Sequence, residues 1–114
     1  MPETYRKFQA GPDPFGRMWD IEFRWLQTAT SIRHADTVDV KFAAGVDGEA
    51  KYEKVIALNH PDLLKLSKDR SHPLTDAWCL KLGALHLKHM IESAEDLEKT
   101  LVTVGLDEMR RLSA

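Results

Sequence analysis

The chain is organised around residues 71–93, which read SHPLTDAWCLKLGALHLKHMIES. This stretch holds the longest helical spacing of apolar residues in the chain, three of its five histidines and its only cysteine. Pro73 near the start is typical of a first helical turn, so the pattern predicts a long helix over 73–92. Apolar residues cover more than half of the circumference, so this helix must bury more than one surface. Gly83 costs about 1 kcal/mol relative to Ala in mid-helix, which suggests that another backbone approaches closely there.

Alternating apolar and polar residues upstream of this helix predict a three-stranded antiparallel meander. Its strands cover about 17–32, 37–44 and 49–58. In the first strand, Trp19, Ile21, Phe23 and Trp25 share an aromatic-rich face. The phase of the alternation then moves by one residue, which indicates a bulge or bend near Trp25 and Leu26.

The remaining segments complete an α+β fold with a helical second half. Helices are predicted over about 61–68, 73–92 and 94–104, with a short one over 106–112. The third follows Ser93-Ala94-Glu95-Asp96, which resembles a capping box. Residues 1–16, rich in Pro and Gly, are expected to form an irregular arm that packs on its own core or exchanges with a partner subunit.

Length and composition indicate one domain over residues 1–114. The net charge of −2 and the pI of about 6.2 argue against a dedicated nucleic-acid binder. The lone Cys79 allows no internal disulfide, and neither a signal sequence nor a membrane-spanning run is apparent. These features predict a cytoplasmic protein without a membrane partner.

A three-stranded sheet has two open edges, and the long helix has more apolar surface than one sheet can cover. Both features favour self-association. We therefore expect a homo-oligomer, preferably a dimer, that forms through the helical half or a sheet edge. A different protein partner is the alternative occupant of such surfaces.

His86 and His89 are three residues apart on the long helix, so their imidazoles can face one ion. The local sequence offers no acidic third ligand, and Cys79 lies about 10 Å from His86 along the axis. The pair is a weak candidate, so no metal site is favoured and no cofactor is expected. Cys79 lies away from a helix N-terminus, which favours a buried apolar role over that of a nucleophile.

A ligand pocket is the other candidate site. Its lining would be aromatic, with two histidines as polar groups: Trp19, Phe23, Trp25, Trp78, His86 and His89. A plain core role competes with this interpretation, because strand alternation alone accounts for three of the aromatic residues. The charged face of the first strand is expected to be solvated, and the basic residues Lys65, Lys68 and Arg70 are diluted by neighbouring aspartates.

The sequence contains no P-loop, dinucleotide-binding glycine pattern, HExxH, GxSxG or CxxC motif. No catalytic residue is therefore assigned. The first hypothesis is a non-enzymatic oligomeric interaction module. The alternative is a small-molecule-binding protein or modest enzyme with a pocket between the aromatic sheet face and the long helix. A pocket of several hundred cubic ångströms converging on a histidine would favour the alternative.

Overall fold

The computed structural model describes residues 5–29 and 37–113. Within these ranges the elements follow in the order β1 (Lys7–Ala10), β2 (Trp19–Ala29), β3 (Thr37–Val46), β4 (Tyr52–Asn59), α1 (His60–Arg70), α2 (Asp76–Ser93), β5 (Leu101–Val104) and α3 (Leu106–Leu112). The strands form one sheet in that same spatial order, antiparallel from β1 to β4, with β5 parallel to β4. The predicted α+β class with an antiparallel meander is confirmed, although the sheet has five strands and not three.

The first additional strand lies in the segment that was expected to be irregular. Lys7–Ala10 pairs with β2, and Phe8 lies opposite Ile21. A tight turn then returns the chain to β2. There the buried Asp13 carboxylate accepts hydrogen bonds from the backbone N–H groups of Phe15 and Arg17, both at 2.9 Å. Gly11, Pro12, Pro14 and Gly16 belong to this turn, and the four residues of the strand before it are too few to stand out in the sequence.

The predicted helix over 94–104 is wrong. Ala94 and Asp96 have φ of 59° and 56°, in the left-handed region, so the chain cannot continue as a helix there. The Ser93 hydroxyl donates to the His89 carbonyl at 2.8 Å, within the end of α2, and does not cap a new helix. The chain then forms β5, in which Val102 and Val104 are buried on the same face of the sheet as their β4 neighbours Ile56 and Leu58.

The core lies between the helices and one face of the sheet, called here the inner face. Phe42, Val40, Ile56 and Leu58 are buried on that face, and they form one cluster with helix residues such as Leu82, Leu87, Leu66 and Met109. At Gly83 the helix passes so close to β3 that an added Cβ would lie 3.1 Å from the Val40 Cβ. The absence of a side chain at Gly83 thus allows α2 to lie flat on the sheet. The close neighbour is a side chain, not the backbone that the sequence suggested.

A β-bulge changes which face Trp25 occupies. The register of β2 and β3 shifts between Phe23 and Trp25, so Arg24 is the extra residue. Phe23 remains on the inner face, where it packs against Phe42, whereas Trp25 lies opposite Lys41 on the other side of the sheet. The bulge was predicted one or two positions later, which placed Trp25 in line with Phe23; Trp25 nevertheless lines, together with Phe23, a groove between β2 and α2.

Candidate functional site

The six residues predicted to line a pocket do not converge on one cavity. The Trp19 indole N–H donates to the Asp13 carboxylate at 3.0 Å, and Phe23 is part of the inner-face packing. Trp25 lies on the outer face of the sheet. Trp78 lies in the first turn of α2, whereas His86 and His89 occupy its second half. The structure therefore distributes these six residues over separate regions of the molecule.

The outer face of the sheet carries a row of three apolar residues and one lysine that crosses four strands. Trp25, Lys41, Val55 and Leu101 are direct neighbours on β2, β3, β4 and β5, and we call these four residues the outer row. The Lys41 ammonium lies 5.0 Å from the centroid of the Trp25 ring, at cation–π distance. Trp25 is 37% exposed and Leu101 is 54% exposed. Two large apolar side chains thus face solvent at opposite ends of the row.

Charged pairs surround the outer row. The Arg24 guanidinium forms a salt bridge of 2.8 Å with the Glu22 carboxylate, and the Lys41 ammonium forms one of 2.9 Å with the Glu53 carboxylate. Ala43 and Ala57 lie beside the outer row on the same face of the sheet. They do not belong to the core cluster between the sheet and the helices. Within the described residues, no helix packs on this side of the sheet.

Buried Asp13 holds the turn between β1 and β2 together. Burial alone would raise the pKa of its carboxyl, but hydrogen bonds from Trp19, Arg17 and Phe15 outweigh this effect and lower the pKa to about 2. Every one of these partners lies within six residues along the chain. The carboxylate therefore acts as a local structural anchor and faces no cleft.

His86 is buried next to Glu108 at the junction of α2 and α3. Its Nδ1 atom has no hydrogen-bond partner among the described residues and lies 3.9 Å from a Glu108 carboxylate oxygen. Burial lowers the pKa of His86, and Glu108 only partly counteracts this effect. The His89 ring is 6.3 Å from the His86 ring, and His89 Nε2 lies 3.6 Å from Glu95. Among the residues in the described ranges, no three His, Cys, Asp or Glu side chains are arranged to hold a metal ion.

Cys79 is buried in α2. Burial raises the pKa of its thiol to about 11, and Asp76 adds to the increase. The thiolate that a nucleophile requires is therefore scarce at neutral pH.

The space between sheet and long helix is partly open at the β1 edge. One groove of about 320 Å³ is lined by Tyr5, Phe8, Ala84, Leu85 and Lys88. A second, of about 230 Å³, is lined by Arg6, Phe23, Trp25, Leu26, Asp76, Ala77 and Leu80. Neither groove includes a histidine, so they lack the polar groups that the alternative hypothesis assigned to such a pocket.

A larger cleft lies on the opposite side of α2, where the α1–α2 connection and the end of α3 meet. Its volume is about 560 Å³, and we call it the α1–α2 cleft. Its lining is basic, hydroxylic and aromatic: Arg70, His72, Thr75, Ala77, Trp78, Lys81, Leu82 and Ser113. Of these, only Trp78 was a predicted site residue. The available signal was the basic cluster that ends at Arg70, next to His72.

No protein-family model matches the chain, and neither a curated protein nor a solved structure is significantly similar to it. No described helix is long and apolar enough to cross a membrane.

Proposed function

We propose that this protein is a non-enzymatic interaction module that pairs with a second copy of itself through the outer face of its sheet. The observation that carries the proposal is the orientation of Trp25. The bulge at Arg24 turns this large side chain out of the core and into line with Lys41, Val55 and Leu101. Large exposed apolar side chains such as Trp25 and Leu101, on one sheet face with charged residues around them, are typical of protein contact surfaces.

The size of the outer face suits a small dimer contact. The three long strands β2, β3 and β4 have 8 to 11 residues and are about 30 Å long, whereas β1 and β5 have four residues each and are about 13 Å long. With strands spaced about 4.8 Å apart, the face covers on the order of 550 Å² per copy, somewhat less than the roughly 800 Å² per partner of a standard interface.

The charges of the outer face favour a second copy as the occupant. Its basic residues are Lys7, Arg24, Lys41 and Lys51, and its acidic residues are Asp20, Glu22, Asp39 and Glu53. Two identical faces with equal numbers of both signs do not repel each other. A nucleic acid or an anionic membrane would require an excess of positive charge.

The helical half is the less suitable contact surface. The wide apolar surface of α2 is already used within the chain, because ten of its eighteen residues are buried. Its exposed residues include Lys81, Lys88 and Glu92, which are charged. We therefore favour the sheet face over the helical surface as the dimer contact. We also propose that the dimer is cytoplasmic, because the single cysteine is buried and free, and disulfides are rare in that compartment.

Replacing Leu101 with Arg tests the proposal. The substitution would place an unpaired charge at the β5 end of the dimer contact, and we expect the dimer dissociation constant to rise at least about tenfold. Sedimentation equilibrium of the intact chain at micromolar concentrations measures this constant. Because Leu101 is 54% exposed, the fold of the monomer should tolerate the change.

Leu64→Arg is the matched control. Leu64 is 52% exposed but lies on α1, in the helical layer, so its substitution should leave the dissociation constant unchanged. A wild-type chain that is monomeric at micromolar concentrations would contradict the proposal. So would equal effects of the Leu101 and Leu64 substitutions.

A further inference from the structure

We propose that the α1–α2 cleft binds a small ligand that combines a phosphate monoester with a planar ring, such as a nucleoside monophosphate. The cleft has a volume of about 560 Å³, within the range of small-molecule sites. It lies in the helical layer, away from the outer face of the sheet, so this site and the proposed dimer contact can be tested independently.

Two cations supply the anion-binding chemistry. Arg70 and Lys81 line the cleft from α1 and α2, and neither forms an ion pair with any described residue. No acidic side chain lines the cleft. The nearby Asp69 carboxylate is bound by Arg110 at 3.0 Å and does not neutralise Arg70.

Arg70 is held in place by its neighbours. One terminal nitrogen of its guanidinium donates to the Arg110 carbonyl at 3.2 Å, which leaves its other N–H groups for a ligand. Guanidinium and ammonium groups together suit phosphate, because Arg recognises two oxygens at once and Lys adds a point charge.

A stacked pair of rings forms the aromatic part of the cleft. The rings of His72 and Trp78 lie 4.7 Å apart at an interplanar angle of 24°. The His72 backbone is fixed to the end of α1, because its N–H donates to the Ser67 carbonyl at 3.0 Å and its own carbonyl accepts from the Ser67 hydroxyl. His72 is exposed, so a planar ligand can continue the stack on its free face.

Two polar groups of this pair remain for the ligand. Trp78 is 7% exposed overall, and its indole N–H, which still reaches solvent, donates to no group in the described part of the chain. A ligand atom in the cleft can therefore accept a hydrogen bond from it. His72 Nδ1 lies 2.8 Å from the Pro73 carbonyl, which fixes the proton there and leaves Nε2 free to contact the ligand.

The test is a calorimetric titration of the full chain with adenosine monophosphate, adenosine and inorganic phosphate in turn. We expect adenosine monophosphate to bind at least about tenfold more tightly than either fragment, because only the complete molecule engages both the cations and the rings. Absence of binding by all three would overturn the proposal. So would inorganic phosphate that binds as tightly as the nucleotide, because the ring would then contribute nothing.

Variants assign the binding to this cleft. Arg70→Gln should weaken binding of adenosine monophosphate at least about tenfold, and His72→Ala should remove the preference for the nucleotide over phosphate. Lys88→Gln is the control, because Lys88 is an exposed lysine of α2 that lines the groove on the other side. Unfolding curves that match the wild type would show that Arg70→Gln leaves the fold intact, and Lys81→Gln, at a second exposed position, repeats the test.

Two further outcomes would overturn the assignment. Equal losses in Arg70→Gln and Lys88→Gln would mean that binding follows overall charge and not the cleft. A 5′-phosphorylated oligonucleotide that binds as tightly as the mononucleotide would mean that the site serves the end of a nucleic acid and not a small molecule.

Discussion

Among the individual residues, His86 combines burial with a polar atom that has no partner. Its Nδ1 atom is enclosed between α2 and α3, and the nearest carboxylate, that of Glu108, is 3.9 Å away and also contacts Arg111. Burial lowers the pKa of His86 in the native state. A histidine that is neutral when folded gains a proton more readily once the chain unfolds, and this difference links stability to pH.

We expect the free energy of unfolding to fall as the pH drops below about 6.5, the pKa of an unfolded histidine. Below that value the unfolded chain binds a proton that folded His86 does not, so the stability present at neutral pH is lost as the pH falls towards the lowered native pKa. The slope from one such group is at most about 1.4 kcal/mol per pH unit. Urea unfolding at about pH 7 and about pH 5 measures it, above the range in which most carboxylates titrate.

His86→Leu should flatten this pH dependence, because the variant has no titrating ring at the buried position. His89→Gln is the comparison, since His89 lies one turn later on the same helix and is more exposed, at 40% of its side chain. If His86→Leu retained the wild-type slope, the buried imidazole would not be the origin of the effect. The carboxylates that face His86, on Glu108, Glu95 and Asp96, remain in both variants, whereas His89→Gln also removes a neighbouring group that lowers the pKa of His86.

Trp25 shows that the face on which a strand residue lies cannot be predicted unless the position of a nearby bulge is known to within one residue. The change of phase along β2 does indicate a bulge, but the side of Trp25 depends on whether the extra residue precedes or follows it. A period of two gives each residue one of two faces, so an error of one position reverses the assignment. The register with Lys41 settles the position, and that register depends on a different strand.

At the scale of the elements, α2 shows which features are encoded locally. The predicted helix over 73–92 corresponds to Asp76–Ser93, and its N-cap is Thr75, whose hydroxyl accepts from the Trp78 N–H at 3.2 Å. Ser71, with φ of 50°, ends α1 instead. The helix itself follows from periodicity, whereas its first residue depends on which of several capping residues adopts the extended conformation.

Gly83→Ala should destabilise the protein by about 1 kcal/mol. Alanine favours the helix by about 1 kcal/mol, but the added methyl would lie 3.1 Å from the Val40 Cβ and close to both of its γ-carbons. Val40 is fully buried and branched at Cβ, so it cannot easily move, and overpacking of this kind costs about 1–3 kcal/mol. Urea denaturation gives the change in the free energy of unfolding.

A double-mutant cycle with Val40→Ala provides the control for this prediction. Val40→Ala keeps the Cβ but removes both γ-carbons, which would lie 3.2 and 3.3 Å from the added methyl, so it should cost at least about 0.5 kcal/mol less in the Gly83→Ala background than in the wild type. Additive effects, or a Gly83→Ala variant more stable than the wild type, would show that α2 can move away from β3 at no cost.

β5 shows the limit of local patterns. Leu97, Leu101 and Val104 have helical spacing, but three of the four residues from Leu101 to Val104 are β-branched, which equally suits a strand. The choice between helix and strand is made by β4, with which β5 forms a parallel pair and against which Val102 packs beside Ile56. A strand of four residues has little stability without such a partner, so its own sequence does not identify it.

For the whole molecule, features that depend on local sequence patterns could be predicted, and features that depend on contacts between distant segments could not. The α+β class, the β3–β4 hairpin and the long helix follow from contacts between near neighbours in sequence. The two edge strands do not, and neither do the clefts. The residues that line the α1–α2 cleft range from Arg70 to Ser113 and come from three helices and their ends. Their spacing in the sequence does not indicate that these side chains lie close together.

β5 and α3 pack against the sheet and the other two helices, and removal of residues 100–114 should abolish cooperative folding. Val102, Val104 and Met109 are buried, so their loss would expose the inner face of β4 and the side of α1. The Val55 N–H would lose the Thr100 carbonyl to which it donates at 2.7 Å. A chain that ends at Lys99 should therefore lack a sharp urea transition and show reduced circular dichroism.

Two substitutions in the full chain distinguish loss of packing from loss of surface charge pairs. Met109→Ala should lower the free energy of unfolding by about 2–5 kcal/mol, because it leaves a cavity between α1, α2 and α3. Arg110→Gln breaks the exposed 3.0 Å pair with Asp69 and should cost no more than about 1 kcal/mol. If the truncated chain unfolded with the wild-type midpoint, β5 and α3 would be attachments to a stable four-stranded core. If Met109→Ala had no larger effect than Arg110→Gln, apolar packing would not be what holds them to it.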